Sequence, residues 1–293
     1  MALFAMAVWG FSFVAIRIAL DYVNPGQLVV LRFLPVLLIF GPVAFYRLKR
    51  NKTSLNLKDL LWLTILGLFA VIGYNISLNT GQTKIPASLA ALVIALNPTS
   101  IAIFASLTLK EKVALRTWIG LIIGLVGISV VVLGREMPSD LRLITISGVL
   151  ITMGAPLSYG IYTVGLRYYT PRIGAITSTA ATMSLGSIPL LFMINRPLVE
   201  TTIHAPPPLV WSVLFLAIVC TIIAFTFWAK VVSRIEASRA GIFNYLVPLV
   251  AAFGSRLILD EPIDLPLITG AAIVLFGVAT ASGYIIRNKK PNL

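Results

Sequence analysis

The sequence is short of charge, and shortest of acid. Of its 293 residues 11% are charged, and Asp and Glu together number 10. An ordinary soluble domain is about 25% charged and roughly 45–50% apolar. So few charges cannot cover the surface of a water-soluble globule, which is excluded. Disorder needs low hydrophobicity and high charge, and here 58% of residues are hydrophobic, so disorder is excluded as well. A single cysteine, Cys220, allows no disulfide within the chain, and a single histidine, His204, leaves no ligand set for structural zinc. No metal or cofactor is expected. There is no Walker-type phosphate loop, so this chain does not itself draw on ATP. No acid pair or His/Cys cluster suits catalysis, and enzyme activity is not expected.

What the sequence does have is long apolar runs. A spanning helix needs about 20 mostly apolar residues. That ruler marks ten segments, at 2–20, 28–46, 60–80, 88–108, 117–134, 144–165, 174–194, 209–228, 239–258 and 266–286. They are continuously apolar rather than alternating, which selects helices over a membrane β-barrel. The expectation is an all-α membrane protein of ten transmembrane helices. The first segment contains Arg17 and lacks a small-residue cleavage site, so it is not read as a removable signal peptide.

Ten spans put both termini on one side. With the N-terminus inside, the inner loops and tail hold most of the basic residues, among them Arg47, Lys49, Arg50, Lys110, Arg167, Arg172, Lys230 and Arg287. The outer side keeps Lys84, Arg135, Arg142, Arg196 and Arg256, while Arg32 falls inside the second span. This bias obeys the positive-inside rule and accounts for the net charge of +13 without nucleic acid. The expected location is a bacterial inner (plasma) membrane, multi-pass, with both termini cytoplasmic.

A shift of 150 residues brings two stretches into register. Ala87, Ser88 and Ala90 align with Ala237, Ser238 and Ala240, and Leu96 and Pro98 with Leu246 and Pro248. Glu111, Gly120 and Gly127 align with Glu261, Gly270 and Gly277. Apolar coincidence explains leucines and alanines but not the shared Pro, Glu and both Gly. The chain therefore divides into two five-helix units, 1–134 and 144–287. Five is odd, so the second unit enters the membrane inverted. Inverted repeats are a signature of secondary transporters, with the substrate near the midplane between the halves.

These segments resemble the EamA-type repeat of the drug/metabolite transporter superfamily. Trp9-Gly10 with Phe13, and Pro98 with Glu111 ahead of Gly120 and Gly127, carry the likeness, as do Pro248, Glu261, Gly270 and Gly277 in the second half. The second half lacks the Trp-Gly pair and has Ala155-Pro156 near the corresponding position. Length and aromatic content are similar to those of bacterial YddG-type amino-acid exporters. The resemblance implies outward transport of amino acids, and the superfamily also includes carriers of sugar phosphates, nucleotide sugars and nucleobase-type compounds.

Polar residues at depth are costly and therefore informative. Asn75, Asn79 and Gln82 share one helical face beside Tyr74, and this stripe is expected to face a wet vestibule. Asn97 lies mid-span, Ser158, Tyr159 and Tyr162 cluster on the sixth helix, Asn244 and Tyr245 on the ninth, and Trp9 sits too deep for an interfacial belt. Singly, each Asn reads as an interhelical hydrogen bond of about 1–2 kcal/mol or less. Together they outline a polar and aromatic substrate site, since amides suit a zwitterion and rings suit apolar or cationic groups. Pro98 and Pro248, within their helices, are expected to kink them and act as hinges. Trp228 is expected at the membrane interface. Gly120-Leu-Ile-Ile-Gly124 reads first as packing within the chain, with a homodimer the alternative.

No Asp or Glu lies within any of the ten segments, which points to facilitated diffusion or exchange rather than ion coupling. The expected function is alternating-access transport of small polar metabolites, foremost amino acids. A phosphate-bearing cargo would call for several deep Lys or Arg, and only Arg32 and Arg17 approach that description.

Overall fold

A computed structural model describes residues 1–52, 54–109, 115–232, 243–244 and 246–282. Among these there are helices and no strands. Helix α1 runs Ala2–Leu20, α2 Pro25–Arg50 and α3 Leu57–Gln82. α4 comes in two pieces, Ala87–Ile94 and Asn97–Leu109. α5 is Leu115–Leu133 and α6 Ser139–Leu166. α7, Ala175–Ser187, tightens into 3₁₀ turns over Ile188–Met193. α8 has three stretches, Pro207–Leu214, Phe215–Ile223 and Ala224–Val232. α9 is Leu246–Leu259 and α10 Leu265–Ser282. Two short helices, Thr170–Ile173 and Arg196–Ile203, lie in the connections.

By length and composition α1 to α8 are sufficient to cross a membrane, and α9 and α10 are shorter apolar helices. The helices outrun their apolar runs because their ends are capped. Asn24 accepts from the Gln27 N–H at 2.9 Å and Gln27 returns the bond, with Pro25 at the first helical position. Asn56 and Asp59 form the same box at the head of α3. Arg47, Lys49 and Arg50 favour the carbonyl end of α2 and carry it past the apolar stretch. Of the expected span at 239–258, the described part of the helix begins at Leu246.

Pro98 does not stand inside a continuous helix. α4 is interrupted at Ala95–Leu96, and Pro98 is the second residue of its second piece, where the missing N–H costs nothing. Pro248 likewise lies in the first turn of α9.

Glycines set the closest crossings. α5 and α10 approach until a Cβ on Gly277 would stand 2.6 Å from the Gly120 carbonyl oxygen, and one on Gly127 2.7 Å from that of Gly270. A Cβ on Gly124 would meet the Leu96 side chain at 2.7 Å, so the GxxxG face is filled within the chain. Gly10 of α1 rests on Val250 and Ala251 of α9, and Gly160 of α6 on Ser100 of α4. Both members of the second contact sit 150 residues from their counterparts in the first. A shift of 150 residues carries Trp9-Gly10 onto Tyr159-Gly160, four residues beyond the Ala155-Pro156 pair. The other contacts exchange in the same way: α1 lies on α8 as α6 lies on α3, while α2 meets α7 and α5 meets α10.

Glu261 caps a helix far from it in sequence. Its carboxylate accepts from the Ala87 N–H at 2.7 Å, the Ser88 N–H at 3.1 Å and the Ser88 hydroxyl at 2.7 Å, all at the head of α4. Arg135 and Asp264 pair at 2.7 Å, joining the end of α5 to the start of α10. Glu111 lies outside the described residues. Glu261→Ala would leave three donors unpartnered. Such a loss costs about 1–3 kcal/mol, expected as a lowered melting temperature of the detergent-solubilised protein. Glu261→Gln, which keeps one acceptor, should fall between. A melting temperature unchanged in both would remove the cap from the account of stability.

Candidate functional site

α3 and α8 share a local departure from ideal helix. Over Leu68–Gly73 and over Phe215–Ile223 their backbones widen to i→i+5 hydrogen bonding. Such π segments free carbonyls that need donors, and they recur at functional sites. In an apolar interior those donors must be side chains. Asn75 gives its amide to the Ala70 and Val71 carbonyls at 3.2 and 2.9 Å. Thr221 donates to the Leu216 carbonyl at 2.8 Å. Trp9 donates its indole N–H across from α1 to the Cys220 carbonyl at 3.0 Å.

Arg32 of α2 ties the two widened helices together. Its Nη1 donates to Asn75 Oδ1 at 3.1 Å, and its Nε and Nη2 both donate to Thr221 Oγ1 at 3.2 Å. The guanidinium also lies over the Phe33 ring, 5.3 Å from its centroid. Arg32 is 8% exposed, and no carboxylate among the described residues pairs with it.

Two aromatic groups flank this tie. Tyr74, Tyr159 and Tyr162 form a chain with centroids 5.9 and 6.0 Å apart. Trp9 meets Phe225 at 5.2 Å and Trp228 at 5.7 Å. Trp228, expected as an interfacial anchor, is therefore part of the inner aromatic group. Trp9, Tyr74, Tyr159 and Asn97 all keep accessible surface although they lie between helices. The buried Asn97 Oδ1 has no hydrogen-bond partner among the described residues. Ser158 is buried directly over Gly73, where a Cβ would stand 2.8 Å from its hydroxyl.

The remaining candidates separate from this cluster. The Asn79 amide goes to the Pro25 carbonyl at 3.4 Å and the Gln82 amide to the Phe13 carbonyl at 3.1 Å. Both side chains are buried between helices, as Asn75 is, rather than facing an open vestibule. Asn244 stands at the turn before α9, its carbonyl accepting from the Val247 N–H at 3.2 Å. Tyr245 lies outside the described residues. Two surface clefts lie elsewhere, one among Lys84, Arg135 and Thr145, the other among Tyr46, Arg47 and Arg50. Sequence reasoning left Arg32, Thr221, Phe225 and Trp228 out of the site. Arg32 had a signal in its charge inside an apolar span, and Trp228 was expected at the interface instead. Thr221 and Phe225 carried no signal until the fold brought them together.

The pattern of the EamA-like transporter family matches residues 1–133 and again residues 146–283. An "Uncharacterized transporter" of Archaeoglobus fulgidus is 29% identical over 282 residues, covering 96% of this chain and 95% of that protein. A "Probable amino-acid metabolite efflux pump" of Salmonella typhimurium is 28% identical over 298 residues, covering 95% and 92%. The "Uncharacterized transporter YoaV" of Bacillus subtilis is 27% identical, covering 92% and 91%. A solved crystal structure 19% identical in sequence superposes with a TM-score of 0.60, covering 96% of this chain and 94% of that one, a likeness of fold alone. A multi-pass bundle of apolar helices, a polar and aromatic cluster at its heart and a family pattern met twice agree on one conclusion: the chain belongs to the EamA-like transporter family.

Proposed function

We propose that the chain carries small polar metabolites, foremost amino acids including aromatic ones, outward across a bacterial inner membrane by alternating access. It does so without enzymatic chemistry, as a uniporter or facilitator. It is built from ten spans in two inverted five-helix units with both termini cytoplasmic. Three observations support the inverted layout: the twice-met family pattern, the widened segments of α3 and α8, and helix contacts that exchange under a shift of 150 residues. Two halves of one plan can form inward-open and outward-open arrangements of similar energy, which alternating access needs.

The single observation that carries the transport reading is the polar and aromatic cluster where α3 and α8 converge on Arg32. The name of the Salmonella relative favours amino acids and export. The breaks ahead of Pro98 and Pro248 are the proposed hinges, because a helix interrupted there bends without losing further backbone bonds.

Counterflow in proteoliposomes tests this reading. Labelled amino acid outside should accumulate against its gradient when unlabelled amino acid is trapped inside, which a channel cannot do. No acidic residue falls within the ten apolar segments of the sequence, so an uncoupler should leave exchange unchanged within about twofold. Abolition of exchange by the uncoupler would show proton coupling and overturn the uniport reading.

A further inference from the structure

The guanidinium of Arg32 is a charge that no described residue balances. It sits about seven residues into α2, roughly 10 Å from that helix end at 1.5 Å per residue. All its hydrogen bonds within the described residues go to neutral oxygens, Asn75 Oδ1 and Thr221 Oγ1. A guanidinium has five N–H donors. Three are engaged, which leaves one N–H on each terminal nitrogen. A buried cation without a counter-ion is costly, and in a membrane interior such a group marks a substrate or ion path. Lipid tails supply no anion, and no acidic residue falls within the ten apolar segments of the sequence.

We propose that the counter-ion is the substrate's carboxylate, and that Arg32 is the residue that selects for it. This rests on the transport reading above. One guanidinium neutralises one charge and takes a carboxylate through two parallel N–H bonds. A phosphate ester carries close to two charges and would need a second cation. Arg17, the other deep basic residue, is engaged at the far end of α1 with the Gln82 carbonyl at 3.0 Å. Tyr74 adjoins Asn75 in sequence, and its ring face, that of Tyr159 and the unpartnered Asn97 Oδ1 suit the ammonium of the same zwitterion. Arg32 bridges the widened segments of α3 and α8. An arriving carboxylate therefore draws on the group that holds those two helices together, so that binding and rearrangement of the halves share one residue.

The test compares acids with their amides. Glycine, leucine, phenylalanine, lysine and glutamate compete against their α-amides in counterflow, with uridine and glucose 6-phosphate as carboxylate-free solutes. The wild-type chain should prefer acid over amide by about 10- to 100-fold, the range for a hydrogen-bonded charge. Arg32→Gln should erase that preference, and Arg32→Lys should keep part of it. Arg32→Gln can also unfold the chain, since it removes the tie between α3 and α8. The wild-type acid-to-amide ratio and the Arg32→Lys ratio then decide. Equal competition by acid and amide overturns the inference, as does an unchanged ratio in Arg32→Gln, which would make the arginine a structural tie only. Exchange of uridine or glucose 6-phosphate alone overturns it while leaving transport standing. Exchange of no solute in the panel counts against the transport reading itself.

Discussion

Gly277→Leu is expected to abolish recovery of folded protein. A Cβ at this position would stand 2.6 Å from the Gly120 oxygen and 2.7 Å from the Gly124 nitrogen, both backbone atoms of α5. Backbone cannot rotate aside as a side chain can, so α10 would have to leave α5 along their common crossing. Overpacking typically costs about 1–3 kcal/mol when side chains can yield, and here the cost should exceed the upper end. The matching control is Phe276→Leu one residue away. Phe276 is 55% exposed on the bundle surface, and this change should be tolerated. Size-exclusion profiles and thermal melts of the two variants in detergent are the measurement. A monodisperse Gly277→Leu protein with the wild-type melting temperature would show that the crossing is not as close as described.

Asn97→Ala and Tyr159→Ala should each lower counterflow by about tenfold or more, the loss of one to two kcal/mol of ligand contact. They should leave insertion and melting temperature close to wild type. The separation follows from the bonding. Asn97 Oδ1 has no protein partner to lose, and Tyr159 keeps accessible surface against Tyr74 and Tyr162. A group that costs the fold little and the transport much is one that serves the ligand. The contrasting variant is Gln82→Ala, whose amide holds the Phe13 carbonyl at 3.1 Å. It should lower stability at least as much as transport. Counterflow at the wild-type rate in both Asn97→Ala and Tyr159→Ala would move the substrate site elsewhere in the bundle.

Asn75, Asn79 and Gln82 show where reading along the chain stops being informative. Their spacing does put them on one face of α3, and that face is buried as a unit. Periodicity says that three amides point the same way; it does not say whether water or a neighbouring backbone lies opposite. Pocket lining and interhelical bonding have the same signature in sequence. On α6, by contrast, Ser158 lies over Gly73 and Tyr159 stands between Tyr74 and Tyr162. Nothing along the chain marked Glu261 as the cap of a helix 174 residues earlier.

Apolar runs near the length of a bilayer, basic loops on alternate sides and a Pro, Glu and Gly pattern met twice 150 residues apart are all properties of the chain as a string. From them follow the helical class, the approximate extent of the helices and the expectation of two related units. The rotation of each helix about its axis is not such a property. In lipid the outward face is as apolar as the core, so no amphipathic stripe marks the inward side. Only the folded chain brings Arg32 to Thr221, 189 residues on, and Trp9 to the Cys220 carbonyl, 211 residues on. The Trp9 contact supplies a donor to a carbonyl in the widened stretch of α8, and the Arg32 contact gives a buried guanidinium an acceptor, neither of which the bilayer could provide.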